Sequence, residues 1–276
     1  MGKSRKEATQ RLDRLLVLRG LAETREKAQA LILAGEVYVE GRRVDKAGAR
    51  VPVSAPIEIR GRGLPYVSRG GLKLEGALKI FHLNPQGLIC ADLGASTGGF
   101  TDCLLQHGVS RVYAVDVGRG QLHPRLRQDP RVAVLEGVNA RYLTEKSLPE
   151  AVDLVTIDVS FISLKKVLPA AVRLLKPVGL ILALIKPQFE VGRGEVGRGG
   201  VVREHTKHRR VIEEIWRFGE DELGLKALGV AESVLPGPAG NREFFILFSR
   251  SPLQARGRRL FCEKSPGRRS GGENHL

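Results

Sequence analysis

The sequence predicts an α/β fold in which a small α+β domain precedes a Rossmann-like, doubly wound sheet of seven strands. Two observations lead to this prediction. Between residue 72 and about residue 250, short apolar runs alternate with helix-length segments, which is the pattern of a mainly parallel sheet covered on both faces. Before that region, residues 11–60 carry two short helical patterns and a hairpin signal. This order indicates two modules of unequal size.

The composition is globular and the net charge is strongly positive. A chain of 276 residues has room for one catalytic domain and a smaller attachment. Its 45 Lys and Arg residues against 30 Asp and Glu residues give a formal net charge of +15. A surplus of that size attracts polyanions such as RNA or DNA. On charge alone, acidic membrane surfaces and simple solubility remain alternatives.

No segment has the pattern of a targeting signal or a membrane span. The first residues, MGKSRKEATQ, lack the apolar region of a secretion signal. The longest apolar stretch, around Leu180–Ile185, is far shorter than the roughly 20 residues that a span needs. We therefore expect a cytoplasmic protein. Cys90, Cys103 and Cys262 form no C-x-x-C pair, so we expect reduced thiols, no disulfide and no metal.

The first module begins with two helices and a hairpin. Apolar residues recur at helical spacing in RLDRLLVLRG, which ends at Gly20. Thr24 caps a second helix that stops at Gly35, and VYVEGRRV predicts a hairpin with Gly41 in its turn. Any one basic residue here would be an ordinary solvated side chain, but as a cluster they are expected to contact RNA phosphates. The cluster consists of Arg11, Arg14, Arg19, Arg25, Lys27, Arg42 and Arg43.

The segments RLDRLL and TREKAQALILAGEVYVEGRRV, in this order, resemble the alpha-L RNA-binding motif of a small-subunit ribosomal protein, pseudouridine synthases and tyrosyl-tRNA synthetases. The resemblance implies that residues 1–62 form a domain that grips structured RNA. Residues 60–71 are rich in Gly and contain a Pro, which indicates a linker or a domain edge. The catalytic domain is expected to cover residues 63–250. Residues 251–276 are expected to be a disordered basic tail.

Seven apolar runs predict the strands of the catalytic domain. A helix comes first, in LKLEGALKIF, with Leu74, Ala77, Leu78 and Phe81 on one face and Lys73 off it. The last two strands are joined by the short turn PGPAGN, so we expect them to pair antiparallel. The seven runs are ICADLG, RVYAVDVG, RVAVLEGV, DLVTIDVS, GLILALIKP, GVAESVLPG and REFFILFSR.

A glycine-rich turn, ADLGASTGGF, leaves the first strand and begins a helix. Its G-x-x-x-G-G spacing departs from the dinucleotide fingerprint G-x-G-x-x-G. Asp116 ends the next strand, where a carboxylate can accept hydrogen bonds from a ribose. NAD and S-adenosylmethionine both present a ribose there. The turn, together with Asp92 just before it and the seven strands, favours S-adenosylmethionine.

The turn closely resembles the cofactor motif of the FtsJ-like and haemolysin-A-type (TlyA) RNA methyltransferases. This resemblance implies the class I methyltransferase fold, with its antiparallel seventh strand, and S-adenosylmethionine as cofactor. It also implies that Asp116 holds the ribose and that Asn139 lies beside the adenine, although Asn139 in GVNAR is also typical of a turn. The residues implied around the methionine end of the cofactor are Gly94, Ser96, Thr97, Gly98, Gly99 and Phe100.

Four charged residues are expected to meet at the carboxyl edge of the sheet, where doubly wound folds bind ligands. They are Lys73, Asp158, Lys186 and Glu243. The fourth strand ends in TIDVSF and lacks the N/D-P-P-Y/F ending of many base methyltransferases. The four residues resemble the K-D-K-E tetrad of FtsJ-like enzymes. The resemblance implies that Lys186 positions or deprotonates a ribose 2′-hydroxyl beside Asp158, with Lys73 and Glu243 completing the network.

A glycine-rich basic loop, EVGRGEVGRGGVVREHTKH, follows Lys186. Long loops without structure of their own are usually functional. We therefore expect a mobile lid whose Arg193 and Arg198 touch RNA phosphates. A plain surface connection is the alternative.

The resemblance to the TlyA family covers residues 11–250. It implies a 2′-O-methyltransferase that acts on cytidine riboses of 16S or 23S ribosomal RNA. The expected partners are ribosomal RNA or ribosomal subunits, without a membrane or an obligate protein partner. One alternative is a haemolysin, which the family's own name suggests and the lack of a membrane-spanning pattern disfavours. Another is an RNA-binding protein with an inactive catalytic domain, which the complete turn and tetrad disfavour.

Overall fold

The protein consists of a small N-terminal unit and a larger α/β unit. The computed structural model describes residues 8–33, 35–59, 65–192, 194–237 and 240–250. The predicted boundary between residues 62 and 63 and the predicted tail therefore lie outside the described residues, as does Cys262. The elements of the first unit are β1 (Thr9–Arg11), α1 (Leu12–Leu18), α2 (Arg25–Leu33), β2 (Val37–Val39), β3 (Arg42–Arg43), β4 (Arg50–Pro52) and β5 (Ile57–Ile59).

The helices and the hairpin of the N-terminal unit lie where the sequence predicted them. Strand β1 pairs with β4, and β2 lies between β3 and β5, with every pair antiparallel. Leu16 and Ile32 are fully buried between the elements. Gly41 has a φ of +74° in the β2–β3 turn, a conformation that glycine adopts without steric cost. The hydroxyl of Thr24 accepts a hydrogen bond from the backbone N–H of Lys27 at 3.2 Å.

A buried carboxylate, Asp13, organises the polar side of this unit. It accepts hydrogen bonds from Arg11 at 3.0 and 2.9 Å, from Arg25 at 2.9 Å and from Gln29 at 3.0 Å. The guanidinium of Arg11 holds the pKa of this carboxyl well below its usual range. Arg19 donates to two backbone carbonyl oxygens near β4. Three of the basic residues predicted to contact RNA therefore also hold the unit together.

The larger unit is built on a seven-stranded sheet. Its strands lie in the order β11-β12-β10-β9-β6-β7-β8. Strand β12 is antiparallel to both β10 and β11, and the other neighbouring pairs are parallel. The predicted sheet, with its antiparallel seventh strand, is confirmed. The strands are β6 (Ile89–Leu93), β7 (Arg111–Asp116), β8 (Val132–Glu136), β9 (Val152–Ile157), β10 (Leu175–Ile185), β11 (Lys226–Glu232) and β12 (Phe244–Ser249).

Helices cover both faces of the sheet. On one face pack α3 (Arg69–Ile80), α4 (Gly99–Gln106) and α5 (Pro124–Arg127); on the other pack α6 (Leu168–Leu174) and α8 (His205–Arg217). A short helix, α7 (Pro187–Glu190), follows β10, a 3₁₀ turn (Leu164–Lys166) precedes α6, and a π-helical turn (Phe218–Glu222) extends α8. The β8–β9 connection contains only 3₁₀ turns, at Ala140–Tyr142 and Glu145–Ser147. A connecting helix, which the sequence pattern predicted there, is not formed.

Helix α3 begins at Arg69, three residues earlier than predicted. The sequence indicated a linker here because of its glycines, but these glycines permit close packing. A Cβ at Gly71 would lie 2.2 Å from Cγ of Tyr66, and a Cβ at Gly99 would lie 2.9 Å from the backbone nitrogen of Gly71. The prediction that Lys73 lies off the buried face is wrong, since this residue is only 8% exposed.

The glycine-rich loop after β10 is shorter and better anchored than predicted. Helix α8 begins at His205, so the last residues of the predicted loop are helical. The carboxylate of Glu195 accepts hydrogen bonds from Arg210 at 2.7 and 2.8 Å. The buried Asn241 donates to the carbonyl oxygen of Gly200 and accepts from the N–H of Val202. These bonds hold the loop against α8 and the chain that leads into β12.

Cys90 and Cys103 are buried free thiols. Burial raises the pKa of Cys103 to about 12. Within the described ranges, no group of His, Cys, Asp and Glu side chains is arranged to hold a metal ion. Along the same ranges, no helix is both long and apolar enough to cross a membrane.

Replacement of Asp13 by alanine is expected to destabilise the N-terminal unit. The change leaves the donors of Arg11, Arg25 and Gln29 without their acceptor, and we expect a loss of about 2 kcal/mol. Urea unfolding and hydrogen exchange of α1 and α2 peptides in the full-length protein measure the effect. Asp45 is exposed in the same unit, so Asp45→Ala is the control. Equal stability of the two variants would contradict the role of Asp13.

Candidate functional site

A cavity of about 820 Å³ opens at the carboxyl edge of the sheet, a volume within the range of small-molecule and cofactor sites. Its walls come from the glycine-rich turn, the start of α3 and the ends of β9 and β10. Helix α2 of the N-terminal unit adds Lys27 and Gln29 to one wall, and Thr24, just before this helix, adds to the same wall. This last contribution was not predictable from the sequence, because it depends on how the two units pack. Both units therefore enclose the cavity.

The glycine-rich turn passes very close to two other segments. Gly94 and Gly98 have φ values of +89° and +97°. A Cβ at Gly94 would lie 2.5 Å from the carbonyl oxygen of Asp158, and one at Gly98 would lie 2.2 Å from Cδ1 of Leu126. The glycines thus allow the turn to lie directly against the end of β9. The residues of this turn that line the cavity are Gly94, Ala95, Ser96, Thr97, Gly99 and Phe100.

Two further residues were predicted to contact a cofactor after the turn. Oδ2 of Asp116 accepts a hydrogen bond from the N–H of Ser96 at 2.8 Å, and its Oδ1 accepts from Gly118 at 2.7 Å. Each carboxylate oxygen has a further lone pair, so the group can also accept from ribose hydroxyls. Oδ1 of Asn139 caps a 3₁₀ turn by accepting from the N–H of Arg141 at 3.1 Å, which is the turn role that the sequence left open.

Asp92 lies beneath the turn and is fully buried. Its Oδ2 accepts from the hydroxyl of Thr101 at 2.7 Å, and its Oδ1 accepts from the hydroxyl of Thr156 at 3.0 Å. These bonds tie α4 and β9 to the end of β6. Burial raises the pKa of Asp92 to about 7. The side chain does not line the cavity. It supports the glycine-rich turn by holding the end of β6 against α4 and β9.

The four charged residues predicted at this edge form two ion pairs. Nζ of Lys73 lies 2.6 Å from Oε2 of Glu243, and both side chains are buried. Nζ of Lys186 lies 2.7 Å from Oδ1 of Asp158. The same ammonium group donates a hydrogen bond to the hydroxyl of Ser160 at 2.9 Å.

Sequence reasoning missed two polar residues that support these pairs. Ser160 accepts the hydrogen bond from Lys186, and Nε2 of Gln188 lies 3.5 Å from Oε1 of Glu243. Ser160 stands two residues after Asp158, and Gln188 stands two residues after Lys186. This closeness to predicted site residues could have pointed to them. A Cβ at Gly237 would lie 2.0 Å from Oε1 of Glu243, so the glycine leaves space for the carboxylate.

An aromatic side chain projects beside the ion pairs. Phe161 is 90% exposed and has a φ of +63°, which bulky residues rarely adopt. Its ring centroid lies 4.9 Å from that of Phe189, and Nζ of Lys186 lies 6.0 Å from the Phe189 centroid. Residues held in unfavourable backbone conformations cluster at functional sites. The exposed ring offers a flat face to a planar group of a ligand.

The remaining basic residues predicted to contact RNA differ in their surroundings. Lys27 lines the cavity and forms an ion pair with Glu23 at 2.5 Å. Arg193 lies outside the described residues. Those exposed to solvent are Arg14, Arg42, Arg43 and Arg198. Phosphate contacts of the whole set stay a prediction.

Two protein-family models match the chain. The model described as FtsJ-like methyltransferase matches residues 66–250, and that of the S4 domain matches residues 10–57. Together they cover both structural units in the observed order.

Similar proteins are known from several bacteria. The 16S/23S rRNA (cytidine-2′-O)-methyltransferase TlyA of Mycobacterium tuberculosis is 47% identical over 237 residues, which are 86% of this chain and 88% of that protein. Hemolysin A of Brachyspira hyodysenteriae is 39% identical over 239 residues, 86% of this chain and 99% of that protein. The solved structure of a candidate hemolysin from Streptococcus thermophilus is 44% identical, with a TM-score of 0.70 over 87% of this chain and 88% of that chain.

Replacement of Asp92 by asparagine is expected to change how stability depends on pH. The carboxyl has a raised pKa of about 7 in the folded protein against about 4 when unfolded. Folding therefore favours the protonated form, and the wild type loses stability as the pH rises from about 4 to 7. Asparagine has no such titration. Relative to wild type, the variant should gain up to about 3 kcal/mol between pH 5 and 8.

Urea unfolding of both proteins at pH 5 and pH 8 measures this difference. An unchanged difference between Asp92→Asn and wild type at the two pH values would contradict the raised pKa.

Proposed function

Because the chain belongs to the FtsJ-like methyltransferase family and carries an N-terminal S4 domain, we propose that it transfers a methyl group from S-adenosylmethionine to a cytidine ribose 2′-hydroxyl of ribosomal RNA. The observation that carries the proposal is the pairing of four charged residues, Lys73 with Glu243 and Lys186 with Asp158, beside a glycine-rich cavity. The substrate class extends to this chain what the name of the M. tuberculosis relative states. Ribosomal RNA or ribosomal subunits as partners, and a cytoplasmic location, are part of the proposal.

The glycine-rich turn lines the cavity, and Asp116 and Asn139 follow it in the chain without lining the cavity; together they are proposed to hold S-adenosylmethionine. When bound, this cofactor supplies a methyl group carried on a positively charged sulfur atom. Asp116 would accept hydrogen bonds from the ribose hydroxyls, since each of its oxygens keeps a lone pair. Asn139 is proposed beside the adenine. The residues proposed to hold the methionine end are Gly94, Ser96, Thr97, Gly98, Gly99 and Phe100, of which all but Gly98 line the cavity. Asp92 supports this turn from below.

Lys186 is the residue proposed to act on the acceptor. Its Nζ lies at the cavity between Asp158 and Ser160, where it can position the 2′-hydroxyl or take its proton. Positioning of the oxygen supplies a large part of the acceleration, and a well-placed base adds about 10²- to 10⁴-fold. Lys73 and Glu243 lie at the same edge as a buried ion pair and complete the charge balance of the site.

The division of labour follows the two structural units. Residues 1–62 are proposed to bind structured RNA through basic side chains that the Asp13 network leaves exposed, and residues 63–250 are proposed to carry out the transfer. Lys27 lines the cavity from the N-terminal side. RNA held by the first unit would therefore lie next to the site of transfer.

Lys186→Ala is expected to lower methyl transfer by at least about 100-fold and to leave cofactor affinity nearly unchanged, because the side chain acts on the acceptor oxygen. Incubation of ribosomal subunits with labelled S-adenosylmethionine measures transfer, and mapping of the label identifies the nucleotide. Calorimetry with S-adenosylhomocysteine measures binding. Lys79→Ala is the control, since Lys79 is an exposed residue of α3 paired with Glu75.

Three results would overturn the proposal. They are an active Lys186→Ala variant, a label on a base in place of the ribose, and tight binding of NAD without a response to S-adenosylhomocysteine. The first removes the proposed role of Lys186, the second the reaction type, and the third the cofactor.

Phe161→Ala is expected to raise the KM for RNA by about 10-fold, because stacking of a base on an aromatic ring contributes about 1–3 kcal/mol. Phe161→Trp should keep most of the affinity, since the indole ring also stacks. Val178→Ala removes an exposed apolar side chain from the opposite edge of the sheet and serves as the control. Steady-state kinetics with the RNA concentration varied give the KM values. If Phe161→Ala matches this control, the exposed ring does not bind RNA.

A further inference from the structure

Glu190 is a partly buried acid of the larger unit, and the proposed reaction does not use it. It ends α7, four residues after Lys186. Its Oε1 accepts a hydrogen bond from the backbone N–H of Leu164 at 2.7 Å, and its Oε2 accepts from the hydroxyl of Ser163 at 2.6 Å. Burial raises the pKa of this carboxyl. Its two short hydrogen bonds offset part of the cost of burying a charge.

These bonds join the two segments that carry the reactive charges. Residues 158–164 leave β9, and residues 186–190 leave β10. At the cavity, Lys186 contacts Asp158 and Ser160. Farther from the cavity, the carboxylate of Glu190 accepts hydrogen bonds from the hydroxyl of Ser163 and the backbone N–H of Leu164. The two segments are thus fixed to each other at both ends.

The exposed Phe161 lies between these two points of attachment. Its only ring contact among the described residues is with Phe189, which directly precedes Glu190. Its φ of +63° is a rarely adopted conformation that persists only when the surroundings impose it. The flanking hydrogen bonds, which Lys186 donates to Ser160 and Ser163 donates to Glu190, are in a position to impose it.

We propose that Glu190 is a positioning residue of the transfer reaction: by holding Ser163 and Leu164, its carboxylate fixes residues 158–164 relative to Lys186. The inference rests on the proposed function and adds a residue to it that does not face the substrate. Without this carboxylate, the segment relaxes, and the distances among Asp158, Ser160 and Lys186 are no longer set. A displacement of about 1 Å at a reacting centre can cost about 100-fold in rate.

Hydrogen exchange tests whether the attachment exists, independently of any activity. In Glu190→Ala, the peptide that contains residues 158–165 should exchange faster than in wild type, because the N–H of Leu164 has lost its acceptor. Glu190→Gln should exchange like wild type, since the amide oxygen accepts from Leu164 and the amide nitrogen can donate to Ser163. Equal exchange in wild type and Glu190→Ala would overturn the proposal.

Kinetics test whether the attachment matters for transfer. Glu190→Ala should lower kcat by about 10- to 100-fold while the affinity for S-adenosylhomocysteine stays at the wild-type value, and Glu190→Gln should recover most of kcat. The matched control is Asp153→Ala. Asp153 also accepts from a backbone N–H, that of Ile89 at 3.0 Å, and from a second side chain, that of Lys176, but at the opposite end of β9.

The control separates positioning from stability. Asp153→Ala should lower the urea midpoint about as much as Glu190→Ala and leave kcat unchanged. A wild-type kcat in Glu190→Ala, or an equal loss of kcat in both variants, would overturn the positioning role. Failure of the wild type to methylate RNA would overturn the proposed function and with it this role, whereas the exchange data would still decide whether Glu190 holds the segment.

Discussion

The ion pair between Lys73 and Glu243 joins the first helix of the larger unit to the residue that directly precedes its last strand, 170 positions later in the chain. Both side chains are buried, and a buried charge is tolerated only when it is paired. The pair can therefore form only when α3 has docked against a completed sheet. The position of these two charges at the carboxyl edge of the sheet therefore depends on the complete fold. The same docking brings α3 close to α4 at Gly71 and Gly99.

Much of the fold and part of the site follow from local patterns. The seven strands were predictable because buried parallel strands are short apolar runs, and Asp158 and Lys186 were predictable because each directly follows such a run. The start of α3 was not, since Gly70 and Gly71 locally favour a linker and only packing against Tyr66 and α4 makes them helical. Local reasoning therefore fails where a distant segment decides the conformation.

The same limit applies to contacts between the units. Helix α2 was predicted with its boundaries nearly correct, yet nothing in this segment of the sequence indicates that Lys27, or Thr24 just before the helix, lines the cavity. The number of basic residues also does not show which arginines are available to bind RNA. Arg11 and Arg25 count toward a basic surface, but Asp13 binds both. A surplus of charge in a module thus overstates the number of side chains that are free to meet a phosphate.

The absence of a side chain at Gly94 restricts the substitutions that the site tolerates. A single methyl group there would collide with the carbonyl oxygen of Asp158 and push the glycine-rich turn away from the end of β9. Gly94 belongs to the turn proposed to hold the cofactor, and Asp158 belongs to the segment proposed to contact the acceptor. The N–H of Asp158 also donates to the carbonyl oxygen of Leu93 at 2.9 Å, so a side chain at residue 94 would change the distance between the two halves of the site.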